Sequence, residues 1–193
     1  MKCLKQQELD IRWTGPYGWP KFGNDLAPIP SHSGIYLWTV EYLDGYLIYC
    51  AGLTRRPFAR RLAEHTRSFM LGNYNVLEIG AMQCGIRKEV WHGWGWTPEK
   101  RRIFQKRNNQ ICAAVRKQLT GFRIFVADIT VRGRILERVE AAILNTLYAA
   151  GPPFCNIPDE GMLRLPRQAS EIPIVARNLC SEKLHGLPSK LQI

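Results

Sequence analysis

The hydrophobic pattern changes period several times along the chain, and each change marks an element. Leu37-Trp38-Thr39-Val40-Glu41-Tyr42-Leu43 and Tyr46-Leu47-Ile48 are β-branched and aromatic runs flanking Asp44-Gly45. They predict a hairpin over about 34–52, turning at Asp44-Gly45 with the positive φ values of a type I′ turn. Folding back there brings Tyr36 and Tyr49 close together near the open end. Phe58, Leu62 and Phe69 then recur at helical spacing, predicting a helix from near Pro57 to about Phe69. Residues 74–96 carry only short strand-like pieces around Val76–Met82 and a Trp/Gly-rich stretch. Thr97-Pro98-Glu99 opens a second helix to about Leu119, with Thr97 as N-cap and Pro98 in the first turn. Residues 122–131 read as a third strand. After Gly133 the stripe Leu136, Val139, Ile143, Leu147 predicts a helix to about Ala149.

Residues 1–32, rich in Pro, Gly and Trp, show no sustained periodicity and read as an arm or cover. The tail from Gly151 is punctuated by proline. The order β-β-α-(insert)-α-β-α predicts an α+β fold: a small three-stranded, mainly antiparallel sheet flanked by helices, with a basic helical insert at about 70–118. This divides the chain into an arm (1–32), a central domain (33–157) and a C-terminal extension (158–193).

Composition adds little until charge is mapped. A chain of 193 residues with 46% hydrophobic content supports one well-buried core. No apolar run approaches the roughly 20 residues of a bilayer span, and the N-terminus lacks a signal-peptide stretch, so a soluble, cytoplasmic protein with no membrane partner is expected. Cys3, Cys50, Cys84, Cys112, Cys155 and Cys180 show no C-x-x-C spacing and read as reduced thiols; the four histidines are equally dispersed, which argues against zinc. The net charge of +11 is concentrated: residues 53–69 hold five Arg and one Glu, and residues 87–118 hold nine Lys/Arg and two Glu. Interleaved with Trp91, Trp94, Trp96 and Phe104, these basic segments suit a polyanion, most often nucleic acid. A solvated basic face on an ordinary protein is the plainer alternative.

Polar residues also fall on apolar faces. With Phe58 as zero and about 100° per residue, His65 lies at about −20° and Arg61 at about −60°, whereas Arg60 lies at about 200° and faces water. On the last helix Glu140 sits about 40° from Leu136, inside the apolar stripe. A carboxylate there must be paired or bind a cation. An ion pair with Arg61 joining two helices would satisfy it structurally.

Gly34-Ile35-Tyr36, Tyr49-x-x-Gly52, Arg61-x-x-x-His65, Glu140 and Asn156, in this order, resemble the GIY-YIG nuclease family across roughly residues 33–157. The second motif departs from the family's Tyr-x-Gly: two residues separate Tyr49 from Gly52, and strict alignment on Gly52 would put Cys50 in the tyrosine position. A one-residue bulge would keep Tyr49 at the site. The resemblance implies a divalent-metal-dependent DNA endonuclease in which Glu140 is the single protein ligand of Mg²⁺ or Mn²⁺. Tyr36 or Tyr49 would activate water, Arg61 bind the scissile phosphate, His65 hydrogen-bond a phenol or phosphate oxygen, and Asn156 orient a group at the metal. The long basic insert and short extensions are most like the family's stand-alone restriction enzymes. Arg55, Arg56, Lys100, Arg101, Arg102, Lys106 and Arg107 would then grip DNA phosphates, and a homodimer would match a palindromic site. The rival expectation is a non-catalytic nucleic-acid-binding module with an impaired site.

Overall fold

The computed structural model describes residues 7–22, 25–129, 134–159 and 165–193. Cys3, Gly133 and the last two residues of the expected third strand lie outside them. In chain order the elements are β1 (Gln7–Arg12), β2 (Thr14–Tyr17), β3 (Gly34–Tyr42), β4 (Gly45–Thr54), α1 (Phe58–Met70), β5 (Val76–Leu77), α2 (Ile79–Gln83) and β6 (Glu89–Trp91). They continue with α3 (Pro98–Gly121), β7 (Arg123–Ala127), α4 (Ile135–Ala149), β8 (Ile174–Leu179), β9 (Leu184–His185) and β10 (Lys190–Gln192). Thr97 caps α3 as its sequence requires, its hydroxyl accepting from the Lys100 amide at 3.1 Å.

The fold is α+β, but its main sheet has five strands, in the order β2-β7-β3-β4-β9, and not three. The three strands legible in the sequence, β7, β3 and β4, are its antiparallel centre. The arm adds β2 antiparallel to β7, and the extension adds β9 parallel to β4. Both additions cover backbone groups that a three-stranded sheet would expose at its edges. They are four and two residues long, too short to show a period of two. A second sheet, β1-β8-β10, also joins the arm to the extension.

Alternation along β3 divides the core. Tyr36, Trp38 and Val40 face Trp19, α1 (Phe58, Leu62, Phe69) and α3 (Ile111, Val115, Leu119). Ile35 and Leu37 face α4 (Leu136, Val139, Ile143, Leu147) and the second sheet. Each cluster removes from water a continuous run of large apolar side chains, at roughly 1.5–3 kcal/mol apiece. Among the described residues no helix is long and apolar enough to cross a membrane.

The hairpin turns one residue earlier than expected. Tyr42 pairs with Gly45, so the loop is Leu43-Asp44, and Leu43 takes the left-handed φ of 50°. Gly45 serves a different need: a Cβ there would stand 2.3 Å from the Lys183 carbonyl oxygen. That oxygen accepts from the Tyr46 amide at 2.9 Å, and Asp44 accepts from Lys183 Nζ at 2.8 Å. The extension therefore docks on the turn and sets its register.

β4 carries the expected bulge. Trp38 opposes Cys50 while Thr39 opposes Ile48, leaving Tyr49 as the extra residue. Tyr49 and Cys50, though consecutive, both contact the α1-side core. Beyond the bulge the outer edge of Cys50–Thr54 has no strand partner among the described residues, because β9 reaches only Tyr46 and Leu47.

Candidate active site

At this open edge of β4, side chains from both sides of the sheet meet. Tyr36, on β3, is directly opposite Gly52 and lays its ring over it; a Cβ at Gly52 would stand 2.4 Å from the phenol oxygen. The glycine of the second motif is thus the space the first motif's tyrosine occupies. α1 follows the edge by a short loop and turns Arg61 and His65 toward the sheet while Arg60 faces solvent. α4, from the opposite face, brings Glu140, whose carboxylate accepts from the Leu53 amide of the same edge.

His65 is 6% exposed and bridges two phenols, with Nε2 2.9 Å from the Tyr36 hydroxyl and Nδ1 3.1 Å from the Tyr74 hydroxyl. Burial, aided by the Arg61 charge, lowers its pKa to about 3, so the ring is neutral and one nitrogen donates while the other accepts. Burial and the nearby Cys50 push the Tyr36 hydroxyl well above its ordinary value, against the pull of the Arg61 guanidinium. Glu140 rises to about 7, chiefly by burial, with the Leu53 amide opposing. The alternative of an ion pair with Arg61 does not form: Arg61 pairs with Glu64 at 3.3 Å, and among the described residues Glu140 has no cationic partner within 4.0 Å. Cys50 stands beside this group, its thiol pushed up by burial and by Glu140.

Tyr49 does not join it. The bulge sends its ring to stack on Trp38 and Phe122, and its hydroxyl donates to Asp159 Oδ2 at 3.0 Å. Asp159 Oδ1 accepts from Asn75 at 2.9 Å and from Arg87 at 2.7 Å, so three donors hold this buried carboxylate. The bulge re-aims the second tyrosine, but away from Glu140; alignment on Gly52 leaves Cys50 in its place. Asn156 is also elsewhere. It is exposed, accepts from the Cys155 thiol at 3.2 Å, and lines an open cleft of about 590 Å³ with Asn75, Arg87, Glu89 and His92. No hydrogen bond links it to Tyr36, Arg61 or Glu140.

The basic residues divide by partner. Arg55 pairs with Glu137 at 2.7 Å, Arg56 forks onto Glu64 at 2.6 and 2.9 Å, and Arg102 pairs with Glu99. Lys100 reaches the Trp94 carbonyl and lies 5.7 Å over the Trp91 ring, and Arg107 donates to the Val90 carbonyl at 3.2 Å. Arg101 and Lys106 project into solvent from α3. Asp159 and Arg87 escaped the sequence reading because they act through partners far along the chain, and Tyr74 because it lies in the stretch after α1 that shows no sustained period. Asp159 lies three residues past Asn156, where only a buried carboxylate could have drawn attention.

Among the described residues no group of three or more His, Cys, Asp or Glu could chelate a metal. A lone carboxylate still fits Mg²⁺, which keeps most of its water and takes one or two protein carboxylates plus phosphate oxygens. The chain matches no family model, no curated protein and no solved structure.

Proposed function

We propose that the chain is a divalent-metal-dependent DNA endonuclease of the GIY-YIG kind, used in restriction. The observation that carries this reading is Glu140: a mostly buried carboxylate at an open sheet edge, held by one backbone amide, without an ion-pair partner among the described residues, and beside Arg61 and Tyr36. A structural carboxylate at that depth is paired with a cation or held protonated, and Glu140, unpaired, has its pKa raised to about 7. Glu140 is therefore available to a metal ion, and its family position is that of the metal ligand.

In this reading Glu140 would hold Mg²⁺ or Mn²⁺, which when bound polarises the phosphate and orients the attacking water. Arg61, about one-third exposed, holds the scissile phosphate and offsets charge developing on its oxygens. Tyr36 takes the proton of the attacking water as it gives its own to His65 Nε2. His65 passes its Nδ1 proton to the Tyr74 oxygen as Tyr74 releases its own hydroxyl proton to solvent. Burial that forbids an imidazolium favours this concerted transfer, because the ring is neutral before and after. The exposed cations of α3, Arg101 and Lys106 first among them, bind flanking phosphates. A homodimer would let one site per chain cut both strands.

The second reading, a nucleic-acid-binding module without catalysis, is favoured by one observation: Tyr49 is locked to Asp159, and Cys50 stands where the second phenol would be. Incubation with unmethylated phage and plasmid DNA in Mg²⁺ or Mn²⁺ separates the two. Discrete fragments, abolished by EDTA and by Glu140→Ala, are expected of the nuclease. Retarded but intact DNA under every metal condition would leave the binding module.

A further inference from the structure

Next to the candidate site lies an aromatic cavity that the reading above does not use. It measures about 110 Å³ and is lined by Trp38, Tyr49, Phe69, Tyr74 and Trp94, with Cys50, His65 and Asp159. Its floor is buried, and Trp94 at its rim is 44% exposed. Cys50 and His65 are shared walls: Cys50 feels the Glu140 and Arg61 charges, and His65 holds Tyr36. Trp94 also lines the polar cleft of about 590 Å³. Trp94 itself stands 6.1 Å from the Tyr74 ring, on the Gly93-Trp94-Gly95 segment.

We propose that this cavity receives one pyrimidine base turned out of the DNA beside the scissile phosphate, with its backbone in the adjoining cleft. The inference rests on the nuclease or binding reading of the basic surface. At about 110 Å³ the cavity is smaller than the dry cavity of about 150 Å³ that holds benzene, so it has no room for a two-ring base and takes a single ring only with part of it at the open rim beside Trp94. Aromatic walls stack on the face of any base, and extruded bases are held in this way between aromatic side chains. The polar groups suit a base edge. The Trp38 indole N–H is buried without a hydrogen-bond partner among the described residues, a donor that a ring carbonyl would satisfy. Asp159, with three donors already on its two oxygens, retains an acceptor position for an exocyclic amine. Cytosine carries both groups. The wide basic surface supplies the phosphate attraction that brings a duplex to the cavity.

The test is fluorescence-anisotropy binding in EDTA, so that cleavage plays no part, using duplexes with one unpaired cytosine, one unpaired adenine, one abasic bulge, or no bulge. The cytosine bulge should bind about 5- to 150-fold tighter than the abasic one, the range of one base–aromatic stack. Trp94→Ala, an exposed position that the fold tolerates, should remove that advantage, and Trp94→Phe should restore most of it. Equal affinity for cytosine and abasic bulges, or equal loss on every probe in Trp94→Ala, would overturn the cavity proposal while leaving endonuclease activity to its own assay. An adenine bulge bound as tightly as cytosine would overturn the choice of a single ring. Absence of binding to any probe at low salt would overturn this proposal together with the DNA reading.

Discussion

Two places in this molecule contain the same three residue types, a tyrosine, an arginine and a carboxylate, and they behave oppositely. Around Asp159 the polar partners converge: Tyr49, Asn75 and Arg87 all donate to the carboxylate, and the group ties β4 to the 70–93 segment and to the chain after α4. Around Glu140 the partners are held apart. Tyr36 is engaged by His65 and Arg61, Arg61 by Tyr36 and Glu64, and the carboxylate, outside these bonds, keeps one backbone amide. The first group is stable because it is complete. The second keeps free valence at a sheet edge, and a ligand is what would complete it. Which residues meet matters less than whether they satisfy one another.

Exchanging the two carboxylates for alanine should break the comparison most sharply. Asp159→Ala leaves the buried Tyr49 hydroxyl and Asn75 amide without their acceptor, while Arg87 keeps Glu89, and should lower unfolding free energy by about 3 kcal/mol, measured by denaturant titration. Glu140→Ala should cost no stability yet reduce cleavage on the order of 10³-fold, more than loss of a single hydrogen-bond donor to the transition state. A destabilised Glu140→Ala would make Glu140 a structural residue.

The pH dependence sharpens the same contrast. Glu140 is raised from 4.5 to about 7 in the folded chain. A raised acid contributes its full stability below its unfolded pKa and loses it as pH rises through the folded value. In metal-free buffer, stability should therefore decline between about pH 4.5 and 7, by up to about 3 kcal/mol. Glu140→Gln should flatten that decline and be more stable than the parent at pH 8. Bound Mn²⁺ should flatten it as well, by favouring the ionised carboxylate. Thermal melts across pH, with and without Mn²⁺, measure all three.

Both groups were partly legible. The spacing of Phe58, Leu62 and Phe69 is enough to turn Arg61 and His65 inward, because a regular helix converts position into direction. Glu140 stands out for the same reason. The fate of Tyr49 was not legible: the bulge could be anticipated from the motif's extra residue, but its direction is set by Asp159, 110 positions away. Likewise the Leu43-Asp44 turn is fixed by Lys183, and the outer strands of the main sheet come from proline-rich segments whose pairing is purely tertiary. Local pattern reports which face a residue takes, whereas partners drawn from distant chain report what it does there.

The smallest effects belong to the basic surface. Arg101→Ala and Lys106→Ala should each weaken DNA binding equally for all sequences and reduce the slope of log K against log salt by about 1. Arg56→Ala, whose guanidinium is already committed to Glu64, should change the slope less. Anisotropy titrations over a salt series decide this.

The most direct test compares the two tyrosines in one cleavage assay, using phage DNA in Mn²⁺ with Tyr36→Phe, Tyr49→Phe and the parent. Tyr36→Phe should fold normally and lose on the order of 10²-fold or more in rate, as befits a group that moves the water's proton. Tyr49→Phe should be less stable by about 2 kcal/mol, from losing a buried bond to a carboxylate, and still cut at nearly the parental rate below its melting temperature. A fully active Tyr36→Phe, or a folded but inactive Tyr49→Phe, would contradict the assignment of chemistry to the open edge.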